Sequence, residues 1–225
     1  MQSSAALALP SGRYSIEPAA SFKAPLLDRI LDHGEDPGPR IVALDLGPPC
    51  QALIDRIGQN RSSCRIEIAD LFANRGLQIL DDPEAIEEHG PALLDELLPR
   101  PNAEPVGLVL CWDLPNYLSL AALKLLCSVL GQRAAPDCKL HMLVTYSKRE
   151  MAAEPARYVP GSESGLTQTC TNIATTAAPR YSPEDIGRAV GRFEYERGVL
   201  LANGMQEFVY AWPKKPGADG PVLIS

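Results

Sequence analysis

The chain has 225 residues and a mass of 24.3 kDa, enough for one sizeable domain carrying an arm and an insertion. It is 45% hydrophobic, which excludes a disordered or fibrous chain. Twenty-one Lys and Arg against 28 Asp and Glu leave a formal charge of −7 with no basic block, so general nucleic-acid binding, which needs a basic face for phosphates, is disfavoured.

Residues 1–21 are rich in Ser, Ala and Pro and read as a loose arm. Leu26–Leu31 predicts a short amphipathic helix, followed by a turn-rich stretch, His33–Pro39. Arg40–Gly47 is a near-continuous apolar run ending in Asp45 and Gly47, the pattern of a strand covered on both faces. A helix over Gln51–Ile57 follows, with Pro49 suited to its first position. Cys64–Asp70 alternates as a second strand and again ends in an acid. Pro91–Leu98, with leucines at 93, 94, 97 and 98, predicts a helix, and the acidic tract from Asp81 to Glu88 before it reads as a solvated face.

Val106–Trp112 is another buried strand, closed by Asp113-Leu-Pro-Asn-Tyr117. Leu118–Leu130 predicts a helix apolar nearly all round, one that packs on a sheet with most of its surface covered. Lys139–Tyr146 is the next strand. Gly161–Ala178, rich in Ser, Thr and Gly, reads as a long loop within an insertion over about 150–181. Ser182 caps a helix through Val190, with Pro183 in its first turn. Phe193–Ala202 and Met205–Trp212 are two β-rich runs joined by Asn203-Gly204, a hairpin signal in which both turn residues take positive φ. Strands separated by helices predict a mostly parallel, doubly wound sheet in an α/β three-layer sandwich, with the hairpin supplying a reversed strand.

The longest apolar stretch, Leu118–Leu130, is interrupted by Lys124 and falls short of the roughly 20 residues a bilayer needs. Met1–Pro10 has no basic residue, which argues against an export signal. The six cysteines form no Cys-x-x-Cys pair, and four lie in apolar segments where a thiol acts as a small hydrophobe. A reduced, cytoplasmic protein is expected.

Leu44-Asp-Leu-Gly47, the acid Asp70 one helix and one strand later, Trp112-Asp-Leu-Pro-Asn-Tyr117 and the C-terminal hairpin resemble the class I S-adenosylmethionine-dependent methyltransferases. The resemblance covers roughly residues 25–212 and rests on order and placement more than on a strict motif. It implies a sheet whose last, reversed strand lies beside the fifth. It also implies S-adenosylmethionine as cofactor: Asp45 and Gly47 at the cofactor's methionine portion, Asp70 (or Glu67) on the ribose hydroxyls, and Asp113 and Asn116 beside the adenine and the methyl-transfer position.

Here the chain departs from the family. Gly47 is followed by Pro48-Pro49 instead of further glycines, so two backbone donors are missing from the loop. Each candidate also has a plain structural reading: Leu44–Gly47 as a strand-to-helix turn, Asp70 as an N-cap, Asp113 and Asn116 as caps of the apolar helix. Cys138 and His141, three apart on a strand, face opposite sides and share no metal. No Gly-x-Ser-x-Gly elbow or Gly-x-Gly-x-x-Gly fingerprint is present, though Cys50 precedes a helix, where a thiol can be activated. Tyr158, Tyr181 and Trp212 are candidates for a substrate pocket or for ordinary packing.

The expectation is therefore one methyltransferase-like domain over 22–213, between an arm at 1–21 and a tail at 214–225. Its function is methyl transfer to an unknown small-molecule or protein substrate. The alternative is a catalytically inactive methyltransferase-like protein, a pseudoenzyme that binds or scaffolds a protein partner, and a homodimer is a further expectation.

Overall fold

Apolar residues on alternate faces of the central strands need cover on both sides, and the helices provide it. The computed structural model describes residues 20–32, 41–60, 64–73, 80, 82–98, 104–161, 164–170 and 174–214. In chain order the elements are β1 (Ala20–Phe22), α1 (Pro25–Asp32), β2 (Ile41–Asp45), α2 (Gln51–Asn60), β3 (Cys64–Ile68), α3 (Pro83–Leu97), β4 (Val106–Leu110) and α4 (Leu120–Gly131). The chain continues through β5 (Ala134–Thr145), β6 (Glu150–Ala152), β7 (Arg157–Pro160), β8 (Leu166–Thr169), β9 (Thr175–Ala177), α5 (Pro183–Ala189), β10 (Glu194–Leu200) and β11 (Met205–Ala211).

The main sheet has six strands in the order β3-β2-β4-β5-β11-β10. Neighbours from β3 to β5 are parallel. The reversed strand β11 sits between β5 and β10, antiparallel to both. On one face Val42, Val109, Leu140, Met142 and Phe208 pack with Leu94, Leu123 and Leu126 of α3 and α4. On the other, Ala43, Leu108, Leu110 and Val209 pack with Leu27, Leu31, Leu53 and Ile57 of α1 and α2. The alternation along the strands decides which helix each residue meets, so the three layers follow directly from the period-two pattern.

Two polar clamps fix α1. Glu207 of β11, fully buried, accepts from the amides of Leu26 (3.1 Å) and Leu27 (2.7 Å) in the first turn of α1. His141 Nε2 of β5 lies 3.0 Å from the same carboxylate. A carboxylate suits the positive end of a helix. Arg56 of α2 grips the Asp32 carboxylate through Nε (3.0 Å) and Nη2 (2.8 Å) and pairs with Asp28 at 3.0 Å.

Several expectations are corrected. The helix predicted over Pro91–Leu98 starts at Pro83, with Asp82 capping the Glu84 amide, so much of the acidic tract is helix. Pro91 sits inside it on the solvent side, where its ring meets no packed neighbour. α2 begins two residues after Pro49. Ala20 and Ser21, assigned to the arm, form β1, which pairs with β8. The insertion read as a loop builds two small sheets, β1-β8-β7 and β6-β9. Among the two hairpin turn residues only Gly204 is left-handed (φ +82°): the turn runs Leu201–Gly204, closed by the Gly204 amide on Leu201 O. Residues 1–19, His33–Pro39, Asp81 and most of the tail lie outside the described residues.

Candidate functional site

The order of the sheet reverses at β2: β3 lies on one side of it and β4 on the other. Open α/β sheets bind ligands at the carboxyl ends of the strands flanking such a switch. Asp45 ends β2, and Trp112-Asp113 follows β4 by one residue, so the two segments singled out at these strand ends meet here through Trp112.

Asp45 is buried, and its Oδ1 accepts from the Gly47 amide (2.9 Å) and from Trp112 Nε1 (2.6 Å). Burial holds the Asp45 carboxyl above its ordinary pKa against the pull of these two donors. The indole packs closely on Gly47: a Cβ there would stand 2.7 Å from Trp112 Cδ1 and 2.8 Å from Nε1. Only glycine admits this approach. The ring also stacks on Tyr158 of β7, with centroids 5.5 Å apart and planes 8° from parallel. Trp112 has φ +52°, a left-handed conformation that is uncommon and strained for a bulky side chain.

The space over Gly47, which the resemblance gives to the cofactor's methionine portion, is thus filled from within by the Trp112 indole. Pro48 and Pro49 beside it present no N–H, so these residues as they stand do not fit the cofactor. Asp70, past the end of β3, is half-buried with φ +40°, and among the described residues its Oδ1 takes a long 3.4 Å contact from the Ala73 amide. Glu67, the alternative ribose acid, is paired with Arg65.

Asp113 is buried, with Oδ2 accepting from the Ala156 amide at 3.1 Å and Oδ1 without a hydrogen-bond partner. Burial pushes its pKa up to about 7, against the Ala156 amide and the neighbouring Tyr158 hydroxyl. Asn116 is committed to the fold. Its amide group donates to the carbonyls of Asp113 (2.9 Å) and Leu143 (3.1 Å), and its oxygen accepts from the Thr145 amide (2.8 Å). It ties the one-turn helix Leu114–Tyr117 to the end of β5, while α4 is capped by Ser119. Neither Asp113 nor Asn116 is that helix's cap.

Asp113 carries a consequence for stability. Its folded pKa of about 7 lies above the ordinary 3.8, so the folded chain keeps this proton longer. Stability from this group is complete below pH 4 and falls as pH rises, being lost above about 7; in all it amounts to about 4 kcal/mol. Urea unfolding from pH 4 to 8 is expected to show that decline relative to Asp113→Asn. Parallel profiles for the two proteins would contradict it.

Beyond the ends of β4 and β5 lies a cavity of about 330 Å³, roofed by β6, β8 and β9 and lined by Asp113, Asn116, Tyr117, Thr145 and Met205 among others. The three aromatic candidates lie elsewhere. Tyr158 is in the stack, the Tyr181 hydroxyl donates to Leu118 O (2.8 Å), and Trp212 packs on Phe193 and Gly131 under Arg192. Trp112, Tyr117 and Thr145 had been given no role; the available signal was an aromatic residue ending the β4 run next to an acid.

Cys138 and His141 are both buried. Among the described residues no group of three or more metal-ligating side chains comes together, and no helix is long and apolar enough to cross a membrane.

No protein-family model matches the chain. No curated protein matches it either. Among solved structures it is similar to the pyocyanin biosynthetic protein PhzM, at 19% identity and a TM-score of 0.45, covering 82% of this chain and 53% of that one. The chain thus spans about half of PhzM's length. It is also similar to the N-methyltransferase NodS from Bradyrhizobium japonicum (12%, TM-score 0.45, covering 84% and 94%). A third is the glycopeptide N-methyltransferase MtfA with S-adenosylmethionine (14%, TM-score 0.39, covering 80% and 89%). The fold is of the class I methyltransferase type. That statement rests on the sheet itself, with β11 reversed between β5 and β10.

Proposed function

We propose that the chain is an S-adenosylmethionine-dependent methyltransferase whose cofactor seat is closed by Trp112 in this conformation. The observation that carries the reading is the reversed strand β11 set between β5 and β10, in a sheet whose switch point is flanked by Asp45-Leu-Gly47 and Trp112-Asp113. The left-handed backbone of Trp112 supports a displaceable plug, since strained residues cluster at sites that change state. Transfer of a methyl group needs alignment and exclusion of water more than a dedicated base, so the lack of a triad is neutral. The ribose contact falls to Asp70, whose carboxylate, unlike that of Glu67, is in no ion pair among the described residues. In this reading the protein works in the reducing cytoplasm, its six cysteines free, on a small-molecule or protein acceptor and as a homodimer or with a protein partner.

The buried Trp112–Tyr158 stack also favours a second reading, in which the seat never opens and the chain is a catalytically inactive binding or scaffolding subunit. Titration of S-adenosylmethionine, followed by calorimetry and thermal shift, separates the two. Cofactor at 100 times its dissociation constant is expected to stabilise the native state by about 2.7 kcal/mol. Asp70→Ala is expected to abolish the shift and Glu87→Ala, on the exposed face of α3, to keep it. No shift at millimolar cofactor leaves the second reading standing.

A further inference from the structure

β10 closes one edge of the main sheet, beyond β11, and among the described residues no strand pairs with its outer side. The Leu201 amide donates inward to Met205 O (2.8 Å), so alternation along the ladder turns the N–H and C=O groups of Leu200 and Gly198 outward. Such a row of open groups is a template for another strand. Two of the four exposed large apolar side chains among the described residues, Tyr195 (62%) and Leu200 (60%), lie on this one strand.

The side chains of β10 indicate which strand fits. Tyr195, opposite Tyr210, and Gly198, opposite Phe208, face the α3/α4 side of the sheet. Arg197, opposite Val209, faces the α1/α2 side, and the bulge between Tyr195 and Arg197 turns Glu196 the same way, onto Lys139 at 2.7 Å. Glu194, opposite Ala211, faces that side too. Arg197 is exposed, and the ion pairs nearby join Lys139 to Asp137 and Glu196 without it.

The strand matches its own reverse. Laid antiparallel against a copy of itself about an axis between Glu196 and Arg197, it sets Tyr195 opposite Gly198 and Glu194 opposite Val199, each pair on one face. The two bulges coincide. Each Arg197 then lies directly opposite Glu196 and diagonal to Glu194 of the second copy, and each Tyr195 ring covers a Gly198 that has no side chain of its own. Like charges set across such an axis hold copies apart. β10 carries both signs, in an order that complements itself.

We propose that the protein forms a twofold homodimer through β10, the two six-stranded sheets running on as one across the Tyr195–Gly198 pairing. This rests on the homodimer of the proposed function and gives it a surface; the methyltransferase activity does not enter. One strand from each copy makes a small interface, so the dimer is of the weak, exchanging class.

Sedimentation velocity without S-adenosylmethionine is expected to show monomer passing to dimer over about a hundredfold rise in protein concentration. Hydrogen exchange of the Gly198 and Leu200 amides is expected to slow over the same range. Arg197→Glu, which sets acid against acid across the axis, is expected to weaken the dimer about tenfold. Mixed with Glu194→Lys it is expected to recover most of that loss, because the introduced acid then faces the introduced lysine. A monomer at every concentration, a dimer whose Gly198 and Leu200 amides exchange at an unchanged rate, or a dimer indifferent to Arg197→Glu would each overturn the proposal. So would slow exchange of these amides in the monomer, which gives the edge to the chain's own terminal segments. Should Arg197→Glu fail to fold, the exchange of the wild type decides alone. No step reads cofactor or methyl transfer, so failure of the β10 dimer and failure of the methyltransferase reading are told apart.

Discussion

Trp112→Ala is expected to bind S-adenosylmethionine about tenfold more tightly than the wild type. To reach Gly47 the ligand has to displace the indole, which gives up a 2.6 Å bond to a buried carboxylate and a parallel stack on Tyr158. The first is worth about 1.5–3 kcal/mol and the second about 0.5–1.5 kcal/mol. Relaxing the left-handed backbone returns about 1–3 kcal/mol, and a net cost of about 1.4 kcal/mol is a factor of ten. Alanine removes that cost before the ligand arrives. The same change opens a hole in a packed stack and is expected to lower stability by about 3–5 kcal/mol, so affinity is measured by calorimetry well below the melting temperature. Trp112→Phe, which keeps a ring but loses the N–H, is expected to fall between the two. Equal affinities across the three proteins would show that the indole is no obstacle. An absence of binding even in the alanine variant would remove the cofactor from the proposal altogether.

Glu207→Ala is expected to destabilise the fold by about 3–5 kcal/mol, the largest effect of any single polar substitution considered. Its carboxylate has no solvent contact and answers three groups together: two amides at the start of α1 and the His141 ring. Truncation leaves all three buried without a partner. Glu207→Gln keeps an acceptor oxygen and is expected to cost about 1–2 kcal/mol. Urea unfolding of the three proteins reports the difference, and limited proteolysis is expected to cut α1 first in the alanine variant. A loss below about 1 kcal/mol for Glu207→Ala would mean that apolar packing alone holds α1.

Elements whose side chains repeat with a clear period were legible in the amino-acid sequence. β2, β4 and β5 announce themselves by long apolar runs, and the Asn203-Gly204 pair marks the hairpin that delivers β11 to its place beside β5. β1 and β6–β9 were not legible, because strands of three or four residues hold too few side chains to show alternation. Their existence depends on pairing across long separations, such as Ser21 with Thr167. Pro91 misled for a different reason: proline costs least at a helix start, yet here it lies inside a helix that begins eight residues earlier at Pro83. At the site, Asp45, Gly47 and Asp113 were picked out by their positions at strand ends; Asp45 and Gly47 meet at the Trp112 indole, while the Asp113 carboxylate turns to the Ala156 amide. What fills the space between them was hidden. A tryptophan in the left-handed region is set by packing on Gly47 and Tyr158, not by any local preference of its own.

The Glu207 clamp has a consequence for synthesis. Leu26 and Leu27 leave the ribosome well before the carboxylate that seats their amides, which lies 181 and 180 positions further on. Until β11 has been made, the apolar stripe of Leu27 and Leu31 has no finished surface to cover, and it stays exposed to association with other chains.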